Sequence, residues 1–99
     1  MRLSQHQQQT IRRIVGEVFD EPVTILLFGS RVDDDARGGD IDLLVQCSEP
    51  VEHPAVTASR LSARISRALQ GRKVDVVLEA PSLQYLPIHD VAHRTGVPL

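Results

Sequence analysis

A mixed α/β domain of the α+β type is what this sequence predicts: a small mixed sheet of about three strands with helices packed on it, in the order α-β-β-α-β-α. Three observations carry that expectation. Short, almost wholly apolar runs recur at 23–28, 41–45 and 74–78, bounded by proline, glycine or charge. Around them lie segments whose apolar residues return every three or four positions, as on one face of a helix. The chain has 99 residues, so 1–99 is one domain with little room for a second.

Taken in order, Ser4 caps a helix over about 5–19, with Ile11, Ile14, Val15 and Val18 on one face. Asp20, Glu21 and Pro22 end it. The run Val23 to Phe28 suits a strand covered on both faces and closes at Gly29. Residues 31–39 form a polar loop. Ile41 to Val45 is the second strand, and Pro50 and Pro54 mark a connector. From Ala55 to about Gln70 the pattern is helical, with Leu61, Ile65, Ala68 and Leu69 in one stripe and Arg60, Arg64 and Arg67 beside it. Gly71 stops that helix. Val74 to Leu78 is the third strand, and a last helix runs from Ile88 to Thr95 behind Pro87.

Composition narrows the function. An apolar fraction of 41% with 24% charge is that of a folded globular domain rather than a disordered chain. A net charge of −2 argues against a dedicated nucleic-acid binder, and three aromatics leave no base-stacking platform. Charge is unevenly spread: residues 31–42 carry five aspartates against Arg31 and Arg37, whereas 60–73 carry five cations and no acid. An acidic pocket and a basic face can therefore share one small domain. Cys47 is the single cysteine, which suits a reducing cytoplasm. No apolar run reaches the length of a membrane span, and the start MRLSQHQQQ does not read as a secretory signal.

Chemistry concentrates at the strand ends. Gly29-Ser30 stands where a buried strand breaks into a polar loop, and glycine there lets backbone N–H groups and the Ser30 hydroxyl approach phosphate oxygens. Taken alone, such a turn is more often purely structural. Asp40 and Asp42 are two apart in a strand and project to one face with Ile41 beneath. Two such carboxylates repel unless a cation lies between them, and phosphoryl-transfer sites need such a pair of hard oxygen ligands. The plain alternative leaves Asp40 ending the Gly38-Gly39 turn and Asp42 in solvent. Asp75 is a third acid, set in a strand that otherwise reads as core. If that strand lies beside Asp40–Val45 the three carboxylates converge. Otherwise Asp75 is an edge residue paired with an arginine.

Gly29-Ser30-Arg31, nine residues after Ser30, then Asp40-Ile41-Asp42-Leu43-Leu44-Val45 and later Lys73-Val74-Asp75-Val76-Val77, resembles the minimal nucleotidyltransferase (MNT) domains of the polymerase-β superfamily. The resemblance spans about 5–96. It implies the polymerase-β-like nucleotidyltransferase fold and a two-metal displacement on a nucleoside triphosphate. It implies that Asp40 and Asp42 are shared ligands of two Mg²⁺ ions. Asp75 becomes a further ligand beside the attacking hydroxyl, and Gly29 with Ser30 the grip on the β- and γ-phosphates. Arg31 and Arg37 add phosphate contacts or balance Asp33, Asp34 and Asp35. Stand-alone members resemble antitoxins that transfer AMP from ATP onto a HEPN-type toxin, so the resemblance implies such a protein acceptor, an oligomer with it, and work in the cytoplasm. A catalytically silent module that blocks the toxin by occlusion is the alternative. Transfer to RNA ends is disfavoured by low basicity and the absence of room for another domain.

Other signals weigh less. His89 and His93 stand one helical turn apart, as zinc ligands do, but no third ligand is obvious. Residues 33–44 begin like a calcium loop and fail at Arg37 and Leu44. Tyr85 reads as a packing residue, Cys47 as a small residue at a strand end, and the Arg60/Arg64/Arg67 stripe as a solvated face that could meet an acidic partner.

Overall fold

The computed structural model describes residues 3–29 and 40–99. Helix α1 (Gln5–Val18) begins at a reciprocal cap. The Gln7 N–H donates to Ser4 Oγ at 3.1 Å and the Ser4 N–H to Gln7 Oε1 at 2.9 Å, satisfying two donors that a helix start leaves bare. Strand β1 (Thr24–Phe28) pairs antiparallel with β2 (Ile41–Gln46). Helix α2 (Pro54–Ala68) then crosses to β3 (Val74–Glu79), which pairs in parallel with β2, as a strand–helix–strand connection requires. Helix α3 (Pro87–Thr95) leads to β4 (Val97–Pro98), antiparallel to β1. The sheet order is β3-β2-β1-β4.

The sheet therefore has four strands where the sequence predicts about three. Val97 and Pro98 pair with Leu27 and Leu26, and a two-residue strand is too short to show any alternation. Pro98 is tolerated because β4 is an edge. The other elements lie within a residue or two of expectation.

Alternation along the strands builds two unequal faces. Ile25, Leu27, Ile41, Leu43, Val45, Val74 and Leu78 join Ile11, Ile14 and Val15 of α1 and Leu61 and Ile65 of α2 in the main core. On the opposite face Leu26, Phe28 and Leu44 pack with Ala92 of α3, and Val77 lies against them. Among the described residues only this nine-residue helix packs on that face, and the acids stand outside the cluster it covers. Ala68 is exposed, so the α2 stripe narrows to Leu61, Ile65 and Leu69. No described helix is long and apolar enough to cross a membrane.

Candidate functional site

The register decides where the carboxylates go. Asp42 is the cross-strand partner of Asp75 on one side and of Phe28 on the other. Adjacent strands lie about 4.8 Å apart and aligned partners share a face, so Asp42 and Asp75 stand side by side. Asp40, two residues before Asp42 and just outside β2, continues the row on that face. Asp40 and Asp42 are half-buried and Asp75 is exposed. Asp75 is an edge residue after all, though not in a salt bridge with any arginine among the described residues. β3 is the outer strand, so its Val76 and Val77 are only half-buried too.

Gly29 completes the corner. Its φ is +77°, in the left-handed region that residues with a Cβ avoid. A Cβ built there would collide with Asp42 Oδ2 and sit 3.3 Å from Asp42 Cγ. The turn thus lays bare backbone directly against the central carboxylate. Ser30, Arg31 and Arg37 lie outside the described residues.

Electrostatics agrees with the crowding. Burial raises the Asp42 pKa above the usual aspartate value, and the neighbouring charges of Asp75 and Asp40 raise it further, while Lys73 opposes them. Lys73 Nζ is 3.6 Å from Asp40 Oδ2. Sequence reasoning missed that pairing, which depends on how β2 and β3 align. Carboxylate oxygens are the donors a hard divalent cation takes, and a cation would relieve the repulsion that raises Asp42. As the side chains stand, no group of three His, Cys, Asp or Glu among the described residues is gathered tightly enough to hold an ion. The three aspartates are a row of neighbours rather than a closed ligand shell.

A second polar cluster lies on the same sheet face, at the far ends of β2 and β3. Glu79 Oε2 accepts from Gln46 Nε2 at 2.8 Å, and Glu79 Oε1 is 2.6 Å from His93 Nε2. His89 is buried with both ring nitrogens engaged. Nδ1 accepts the Leu86 N–H at 2.8 Å and Nε2–H donates to the Leu78 carbonyl at 2.9 Å, which fixes the neutral Nε2–H tautomer. The ring ties the start of α3 to the free edge of β3, so His89 has no lone pair left for zinc. Tyr85 is not the buried packing residue the sequence predicts. It is 56% exposed and stacks on His89 and His93 with ring centroids 5.2 and 6.4 Å away. Cys47 closes β2, 6% exposed, and burial pushes its thiol up to about 11. Within the arginine stripe Arg64 pairs with Glu17 of α1, and that contact, first among its causes, lowers the Glu17 pKa. Cavities of about 350 Å³ beside Glu21 and Val51 and about 340 Å³ beside Ala80 and Tyr85 lie away from the aspartates.

A family model described as a nucleotidyltransferase domain matches residues 9–95. Among solved structures, a mutant of the toxin–antitoxin MntA–HpeT superposes with a TM-score of 0.67 at 20% identity, over 93% of this chain and 69% of that one. A protein from Shewanella oneidensis gives 0.70 at 14% identity, over 98% and 71%. A structure of the tri-AMPylated Shewanella oneidensis HEPN toxin in complex with MNT antitoxin gives 0.56 at 21% identity, over 93% and 70%. At these identities the likeness is one of fold. No curated protein matches the chain.

Proposed function

Because the chain belongs to the nucleotidyltransferase domain family, we propose that it transfers a nucleoside monophosphate, AMP from ATP, to a hydroxyl of a HEPN-type toxin, whose antitoxin it is. The observation that carries this reading is the pairing of Asp42 with Asp75 across β2 and β3, on the face where Gly29 turns its backbone to Asp42. The solved structures of similar fold include an MNT antitoxin with an AMPylated HEPN toxin, which supports the choice of acceptor and donor.

In the proposed reaction the acceptor hydroxyl oxygen forms a bond to the α-phosphorus, the bond from that phosphorus to the bridging oxygen of the β-phosphate breaks, and pyrophosphate leaves. Asp40, Asp42 and Asp75 would hold Mg²⁺. Bound there, the ions would supply charge for the pyrophosphate and lower the pKa of the attacking hydroxyl. Asp75, the most exposed of the three, would be the carboxylate nearest an arriving acceptor and would take the hydroxyl proton. Asp42, central and half-buried, would be a ligand shared by the ions. Gly29, Ser30 and Arg31 would carry the β- and γ-phosphates, with the bare backbone of Gly29 beside Asp42.

Occlusion without turnover is the second reading, favoured by the open row of carboxylates. Co-expression with the partner and intact-mass measurement separates the two. Transfer predicts AMP-sized additions to the partner that vanish with Asp42→Asn. Occlusion predicts an unmodified partner that both chains silence equally.

A further inference from the structure

We propose that Lys73 is the protein's own counter-cation for the aspartate row, seated on Asp40 until a divalent ion displaces it, and that it thereby sets how tightly the ion is taken up. The inference rests on the proposed metal role of the aspartates and adds a residue which that role does not require.

The backbone places Lys73 for this. It immediately precedes β3, and its carbonyl accepts the Ile41 N–H at 2.9 Å, which pins it beside the start of β2. Asp75 is two residues on, so both side chains leave the strand on the same face. Asp40 and Asp42 repeat that spacing on β2. The four groups form the corners of a quadrilateral, Asp40 beside Lys73 and Asp42 beside Asp75. Lys73 Nζ is 3.6 Å from Asp40 Oδ2, and its charge is felt at Asp42 as well. Among the described residues no other salt bridge reaches any of the three carboxylates.

An ammonium is a fit temporary occupant. It neutralises charge, yet its stem is flexible and 68% exposed, so it withdraws into water at small cost. An ion entering at Asp40 competes with it, because one carboxylate cannot serve both at full strength. At this separation and exposure the competition amounts to about three- to tenfold in ion affinity at low salt. Lys73 is accordingly a positioning residue, acting on the ion through Asp40.

The test is Mn²⁺ binding to the full chain by calorimetry at low ionic strength, without nucleotide. Lys73→Met should bind Mn²⁺ three- to tenfold more tightly than wild type, Lys73→Arg close to wild type, and the gain should shrink in high salt. A metal-free thermal denaturation series provides the second reading. Lys73→Met should lower the midpoint in the wild-type background and lower it less in Asp40→Asn, where only the weaker attraction to Asp42 is lost. Unchanged or weaker Mn²⁺ affinity in Lys73→Met, or the same midpoint shift in both backgrounds, overturns the proposal. Wild-type protein that binds no Mn²⁺ removes the metal reading of the site itself and this inference with it.

Discussion

Replacing Gly29 by alanine separates two costs that the structure assigns to one position. The first is conformational: at φ +77° a residue with a Cβ costs about 1–2 kcal/mol. The second is local to the site, because the new Cβ collides with Asp42 Oδ2 and the carboxylate must turn away. Forcing that side chain some 30° from its rotamer costs about 0.5–1.5 kcal/mol, so Gly29→Ala should destabilise by about 1.5–3.5 kcal/mol. For a domain of this size each kcal/mol is about 4–8 °C in Tm. Gly71 is the internal control: its φ is +83°, but nothing lies within 4 Å of a built Cβ, so Gly71→Ala meets the first cost alone. The assay pairs thermal denaturation with AMP transfer to the partner at a temperature where both variants are folded. Both should melt earlier, Gly29→Ala the more so. Transfer by Gly71→Ala should stay within twofold of wild type, whereas moving a carboxylate of the proposed metal site by about 1 Å should cost Gly29→Ala about 100-fold. Wild-type transfer by Gly29→Ala, or equal loss in both variants, would refute the reasoning.

Asp42→Asn should abolish transfer yet raise the melting temperature of the metal-free protein. Because the folded Asp42 pKa lies above its unfolded value, the folded state holds more protons there, so stability falls as pH rises through that interval. The Tm advantage of Asp42→Asn over wild type should therefore widen as pH climbs above the usual aspartate range and then level off; an advantage that narrows instead contradicts the sign. Leu44→Ala empties a fully buried site between Leu26, Phe28 and α3 and should cost about 2–5 kcal/mol in chemical denaturation, against within about 0.5 kcal/mol for exposed Val56→Ala. His89→Phe keeps the ring but strands the Leu86 N–H and the Leu78 carbonyl, a loss of about 2 kcal/mol or more by the same method. Cys47 should react with a thiol reagent only as fast as the chain opens, since its thiol is buried and raised to about 11.

Much of this was legible in the chain itself. The apolar runs located β1, β2 and β3 because each carries enough consecutive β-branched and aliphatic residues to stand out, and Ser4 announced α1. Asp40, Asp42 and Asp75 could be picked as neighbours because an acid inside such a run is costly without a reason. Four things were not readable. Val97–Pro98 is a strand only because β1 leaves an edge for it, a tertiary fact. The Lys73–Asp40 pair and the contact of Gly29 with Asp42 depend on the β1–β2–β3 register, which no local pattern fixes. Tyr85 looked like core because tyrosine often is. Its place is set instead by the stack that His89 and His93 offer one turn apart, with His89 held by two backbone groups.

On the proposed function, divalent ions sit among Asp40, Asp42 and Asp75 when a triphosphate is bound. Crystals grown with Mn²⁺ and a non-hydrolysable ATP analogue, measured for anomalous scattering, test that directly. The expected result is anomalous density between these carboxylates, bridged to the phosphates beside Gly29. Manganese bound elsewhere, with the triphosphate away from this corner of the sheet, would contradict the account.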